Sequence, residues 1–171
     1  EIKSKESDIN AKGPNGWTPL MNAVFSRHRS KPPSLQIVKL LLDHGASIES
    51  KSIPKGETPL HVAVGHGQLP PNVKIVKLLL EDERVDPSVA NNYSFQISSE
   101  YEDLDTLKLL LTDNRVNPAC SSNFALKTAY RRKNTEMIQV LWKSKKVRNE
   151  IFNENIEIYN KINTLYNVDI F

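Results

Sequence analysis

The sequence predicts an all-α solenoid of stacked antiparallel helix pairs, and two observations predict it. The phrase Val38-Lys39-Leu40-Leu41-Leu42 returns as Val76-Lys77-Leu78-Leu79-Leu80, as Leu107-Lys108-Leu109-Leu110-Leu111 and, more loosely, as Ile138-Gln139-Val140-Leu141-Trp142, at offsets of 38, 31 and 31 residues. Ahead of each copy stands a second phrase: Thr18-Pro19-Leu20-Met21, Thr58-Pro59-Leu60-His61, Tyr93-Ser94-Phe95-Gln96 and Phe124-Ala125-Leu126-Lys127. Self-similarity at this period marks a repeat array, in which each unit needs a neighbour to cover its apolar face. Such a chain offers a surface rather than a chemistry.

The elements follow in order. Residues 1–7 are a polar lead-in, and Asp8-Ile9-Asn10-Ala11-Lys12 reads as the tail of a repeat whose helices are absent. Gly13-Pro14-Asn15-Gly16 is a turn, made of residues that preset φ or tolerate positive φ. Thr18 is a good N-cap and Pro19 a good first helical residue, because the N–H that proline lacks would be unpaired there. Leu20, Ala23 and Val24 then form the inner stripe of a helix running to about Ser26. His44-Gly45 closes the following helix: glycine supplies a left-handed cap and histidine can bond the last carbonyls. The third and fourth units lack Thr-Pro. Nine residues separate Asp86 from Phe95 and Asn117 from Leu126, against thirteen from Ser47 to Leu60, so their fingers should project less. In 145–171, Ile151/Phe152, Ile158/Tyr159, Ile162 and Leu165/Tyr166 recur at helical spacing, predicting one amphipathic helix that either caps the last unit or binds a partner.

Composition narrows the class. A length of 171 residues suits one domain or one elongated array, and 39% hydrophobic with 25% charged residues is a soluble globular balance. No apolar run approaches the ~18 residues of a membrane span, and nothing at the start resembles a signal peptide. The first residue, Glu1, suggests a trimmed fragment. One cysteine, Cys120, excludes an internal disulfide and points to a reducing compartment, cytoplasmic or nuclear. The net charge of +3 is unevenly spread. From 81 to 105 the acids Glu81, Asp82, Glu83, Asp86, Glu100, Glu102, Asp103 and Asp105 face only Arg84. From 127 to 148, Lys127, Arg131, Arg132, Lys133, Lys143, Lys145, Lys146 and Arg148 face only Glu136. This either steers a dipolar partner or is an ordinary set of solvated faces.

Gly16-Trp17-Thr18-Pro19-Leu20, followed by Leu35-Gln36-Ile37-Val38-Lys39-Leu40-Leu41-Leu42-Asp43-His44-Gly45-Ala46, resembles an ankyrin repeat, and Gly56-Glu57-Thr58-Pro59-Leu60-His61-Val62-Ala63 with Val73-Lys74-Ile75-Val76-Lys77-Leu78-Leu79-Leu80 repeats the match. The resemblance covers roughly 8–144. It implies an ankyrin-repeat solenoid with hairpin fingers: a lead-in at 1–16, repeats at about 17–49, 57–87, 93–118 and 124–144, and a C-terminal helix in 145–171. There are departures. Inserts with Pro-Pro pairs, at 27–34 and 67–72, stand where the family spends about two residues. Arg84-Val85-Asp86-Pro87, echoed as Arg115-Val116-Asn117-Pro118, is similar to a variant found in ankyrin arrays of amoebae and large DNA viruses.

The resemblance further implies a non-catalytic protein–protein interaction module, with no cofactor and no metal, that takes its partner on the concave face. Carried over position by position, that face comprises Trp17, Met21, Phe25 and Ser26, then Glu57, Gly65 and His66, then Gln96, Glu100 and Tyr101, and finally Lys127, Arg131 and Arg132. Trp17 is either an anchor for the partner or a cover for a neighbouring finger, and Phe25 either an anchor or a cover for the first insert. His61 should hydrogen-bond Thr58, a bond Met21 cannot make in the first unit. Alternatives are the recognition part of a longer effector or ubiquitin-ligase adaptor, and an anion- or nucleic-acid-binding surface at 127–148. The latter has only Tyr130 and Trp142 as interleaved aromatics, and Trp142 falls at a core register.

Catalytic motifs are missing from the sequence: no phosphate-cradling glycine loop, no His-Glu-x-x-His, no cysteine pair. His61 and His66, five apart, are poorly spaced as two ligands of one metal, and Cys120 sits in a turn without a local base. The Pro-Pro inserts yield a prediction, because closing a longer loop costs little entropy. Replacing residues 28–33 with a short glycine linker changes the free energy of unfolding in urea by under about 1 kcal/mol; a loss of several kcal/mol would place the insert in the core.

Overall fold

The computed structural model describes residues 8–25, 33–65 and 73–166. The two inserts, save Pro33 and Ser34, lie outside the described residues, as do Ser26 and His66. Among the described residues there are ten helices and no strand. They fall into two compact units that divide between Asp86 and Pro87.

In the first unit, α1 (Pro19–Val24) pairs with α2 (Leu35–Asp43) and α3 (Pro59–Gly65) with α4 (Val73–Leu80). The pairs stack, inner helix α1 on α3 and outer helix α2 on α4. Thr18 caps α1 by accepting from the Met21 N–H at 3.3 Å. At Thr58 the cap is doubled: its N–H donates to His61 Nδ1 at 3.1 Å, and its hydroxyl stands 3.2 Å from the same atom. Helix α2 closes as expected. Gly45 takes φ +79°, Ala46 N–H donates to Leu41 O, and His44 Nδ1 lies 2.8 Å from Leu40 O. The fingers are hydrogen-bonded across: Asn10 Oδ1 accepts from Ser47 N–H at 2.7 Å, and Asn15 O from Ile53 N–H at 2.8 Å.

In the second unit, α5 (Val89–Glu100) pairs with α6 (Leu104–Leu110) and α7 (Cys120–Arg131) with α8 (Thr135–Trp142). Stripped of Thr-Pro, α5 and α7 open differently. Ala90, Asn91 and Asn92 all stand in the left-handed region, and so do Ser121, Ser122 and Asn123 31 residues on. Each L-residue costs roughly 1–2 kcal/mol in that conformation. Hydrogen bonds offset the strain at the first turn. Asn92 N–H donates to Ser88 O at 2.8 Å, Gln96 Nε2 donates to Asn91 O at 2.7 Å, and the buried Asn92 side chain accepts from Asn117 N–H at 2.8 Å. Asn92 is thus to the Asn117 turn what Asn10 is to Ser47.

Turns after the outer helices also change. Where α2 has Gly45, α4 and α6 are followed by Asp-x-Arg staples. Asp82 Oδ1 accepts from Arg84 N–H and Nε–H at 3.1 and 2.9 Å, and Asp113 repeats the clasp on Arg115. Each guanidinium holds its carboxyl below the usual carboxylate range. Behind the staples Val85 and Val116 are buried.

The C-terminal segment corrects the expectation of a single helix. Asn155, at φ −152°, breaks it into α9 (Lys145–Glu154) and α10 (Ile156–Leu165), and its side chain accepts from Ile158 N–H to start the second. Helix α9 lies on α7 and α8 with Val147 and Ile151 fully buried, while α10 packs on α9 through Ile162. Tyr159 covers the buried Trp142 ring at 5.3 Å between centroids.

Asn92 offers a separable test. Asn92→Ala loses both a residue that tolerates the left-handed region and the bond to Asn117, and destabilises by about 2 kcal/mol in urea unfolding. Asn92→Gly keeps the conformation and costs about half as much. Equal costs for the two would show that the left-handed turn carries no strain.

Candidate functional site

The first unit carries a groove of roughly 660 Å³ between its two fingers and α1. Trp17 and Phe25 form one wall, Pro14 and Asn15 stand on the first finger, and Ile53 and Pro54 on the second. The aromatic rings meet edge to face, with centroids 5.1 Å apart. Both are half-buried, whereas Ile53 is 64% exposed at its fingertip. Asn22, Ser52, Lys55 and Glu57 add the polar groups. A trough of mixed polar and apolar lining with two aromatics in its wall offers residue types found at protein-binding hot spots.

Of the positions expected on the partner surface, the structure moves two into the interior. Met21 is 0% exposed, because its register is that of His61, whose side chain turns back onto the capped first turn; the apolar thioether packs there instead of bonding. Glu57 is 6% exposed, held at the base of its finger where its N–H donates to Ser52 Oγ at 3.0 Å. It lines the groove without projecting from it. In the second unit Glu100 is exposed and Tyr101 is 56% exposed, while Gln96 is half-buried and bound to Asn91.

The basic positions are partly engaged. Lys127 reaches α9, where its Nζ lies 2.8 Å from Glu154 Oε2; that ammonium is the main reason the Glu154 carboxyl is held below its usual range. Arg132 Nη1 stands 3.1 Å from Glu102 Oε1, and Arg148 donates to Trp142 O. Arg131 remains exposed. Three cations of the 127–148 cluster are therefore already paired within the chain, which weakens that stretch as an anion-binding surface. Sequence reasoning missed several groove residues, Pro14, Asn15, Asn22, Pro54 and Lys55 among them, and most notably the exposed Ile53. Its signal was the long first-unit finger, which places an apolar side chain beside Pro54 at the tip.

No group of three His, Cys, Asp or Glu among the described residues is placed to hold a metal ion, and no described helix is long and apolar enough to cross a membrane.

Stacked helix pairs with cross-bonded fingers, each inner helix opened by a Thr-Pro cap in the first unit, define a repeat protein of the ankyrin type. The family model described as ankyrin repeats (3 copies) matches residues 2–92, and the chain belongs to that family. It is also similar to neurogenic locus notch homolog protein 1 of Danio rerio, at 30% identity over 76 residues, which is 40% of this chain. The match spans 3% of that protein's length. Ankyrin repeats generally serve as protein-interaction modules.

Cys120 gives a check on the packing at the start of α7. Buried at 3% exposure, its thiol is pushed up to about 11 by desolvation. Because only the thiolate reacts, an aromatic disulfide reagent at pH 8 should label it at least about a hundredfold more slowly in the native protein than in urea. Equal rates would mean that α7 opens freely.

Proposed function

We propose that this chain is a non-catalytic recognition module whose first unit grips an extended segment of a protein partner in the groove between its fingers. The observation that carries this reading is the convergence of Trp17, Phe25, Ile53 and Pro54 on one trough, with a solvent-exposed isoleucine at its lip. A bound segment is apolar where it crosses Trp17 and offers backbone or amide groups to Asn15 and Asn22. Exposed Tyr101 and Arg131 make secondary contacts, aromatic and electrostatic. The module acts in a reducing compartment, where the lone Cys120 stays a thiol.

The test is comparative capture from cells of the source, followed by affinity measurement with whichever protein is retained. Trp17→Ala should weaken binding by more than about 1 kcal/mol, roughly sixfold, by the hot-spot rule. Ile53→Asp should weaken it at least as much, because it replaces the exposed apolar side chain at the lip with a charge. Lys74→Glu with Lys108→Glu, on α4 and α6, should leave binding unchanged. If the lysine pair abolishes binding while Trp17→Ala and Ile53→Asp leave it intact, the partner sits on the outer helices and the groove reading fails.

A further inference from the structure

The groove of the first unit carries a carboxylate that an apolar segment does not use. Trp17 and Glu57 hold the same register in successive repeats, each standing between a finger glycine and a Thr-Pro cap: Gly16-Trp17-Thr18-Pro19 and Gly56-Glu57-Thr58-Pro59. Because α1 stacks on α3, the two side chains belong to neighbouring rungs, and both line the groove together with Phe25. An aromatic wall beside a carboxylate suits a cation carried at the end of an apolar stem. The carboxylate is held by its own finger. Its side chain is only 8% exposed, Oε2 accepts from Ser52 Oγ at 3.4 Å, and the Glu57 N–H donates to that same hydroxyl oxygen at 3.0 Å. Beside it stands Lys55, whose Nζ lies 4.0 Å from Oε1 while its side chain is 64% exposed. A buried carboxylate whose neighbouring lysine stays mostly in water gains from a cation brought into the groove and desolvated with it.

Lysine suits the place better than arginine. With Oε2 engaged by Ser52, the two-pronged bond of a guanidinium to a carboxylate is at a disadvantage, whereas an ammonium needs one oxygen. The four-carbon stem of lysine can lie on the edge-to-face pair of Trp17 and Phe25, so the ligand stays apolar where it crosses Trp17. Ile53, at the lip, is left to the residue beside the lysine. Resting on the groove reading, which makes this trough the partner's seat, we infer that the trough takes a lysine side chain of the partner segment. Its stem lies on Trp17 and Phe25, and its ammonium meets Glu57 in place of Lys55.

The probes are blocked tripeptides, Gly-Lys-Gly and its counterparts with norleucine or arginine at the centre, titrated into the full chain. Binding is read from the indole N–H signal of Trp17 in a proton–nitrogen correlation spectrum, with that of the buried Trp142 in the second unit as control. The lysine peptide should bind at least about tenfold tighter than the norleucine peptide, the effect of one charge-assisted hydrogen bond. Glu57→Gln should bring the two affinities together. Lys55→Met, which removes the resident cation, should tighten the lysine peptide about threefold and leave the norleucine peptide unchanged. Equal affinity for lysine and norleucine in the native chain overturns the lysine site while leaving an apolar partner in the same groove. A lysine preference that survives Glu57→Gln also overturns it, by putting the cation elsewhere, and so does an arginine peptide that binds tighter than lysine. If no peptide moves the Trp17 signal the lysine site is refuted, and the Trp17→Ala comparison with a captured partner decides the groove reading by itself.

Discussion

Most helices of the repeats are too short to stand alone. Helices α1, α3 and α6 have six or seven residues, and α2, α4 and α8 eight or nine. Isolated helices below about 12–15 residues are marginal in water, because nucleation costs more than so few hydrogen bonds return. Each exists because a neighbour buries one face of it, and the residues that do this recur: Val38, Val76, Leu107 and Ile138 are all at or near zero exposure. Burial of one face against neighbouring helices, inner on inner and outer on inner as well as outer on outer, is therefore the interaction on which the rest depends. Fingers, caps and staples only decide how one covered pair hands the chain to the next.

That dependence explains what could be read in advance. The Leu-Leu-Leu phrases, the Thr-Pro caps and the His44-Gly45 close are local codes, in which residue type and conformation are tied by sterics and one hydrogen bond. Their outcome is the same wherever they occur. The left-handed turns at 90–92 and 121–123 have no such code. Nothing in Ala-Asn-Asn or Ser-Ser-Asn compels three successive positive φ values; the turn is held by Asn117 and Gln96 from outside it. Burial of Met21 and Glu57 was hidden for another reason. Register shows which way a side chain points, but the depth of the finger behind it fixes whether solvent reaches it. The break at Asn155 was legible only in hindsight, since an asparagine inside an amphipathic pattern is ambiguous until its side chain is seen to cap.

The charge asymmetry reads differently once partners are known. Acid and base do not simply face solvent as an acidic middle and a basic end. Asp82 with Arg84 and Asp113 with Arg115 form local clasps, and Glu102 with Arg132 and Lys127 with Glu154 link successive pairs. Exposed pairs of this kind are each worth at most about 1 kcal/mol, so they do not hold the fold. Their larger effect is on what remains for a ligand: a long-range field made of paired charges is weaker than a count of residues suggests. Recognition by charge alone is correspondingly harder in the second unit, and Arg131 is left to act locally.

The two units thus divide their sequence resources in opposite ways. The first spends long fingers and apolar tips, and obtains a trough with Trp17 and Phe25 in its wall. The second shortens its fingers, replaces Thr-Pro with left-handed turns, and ties its surface together through Asn91–Ser121, Arg132–Glu102 and Lys127–Glu154. A surface whose polar groups bond one another gains little by bonding a ligand, because each new bond replaces one already made. A surface that keeps apolar area in water gains from covering it, at about 25 cal/mol per Å². On that difference the first unit has more to gain from being covered than the second, and its fingers also mark where the repeat keeps closest to its family's pattern.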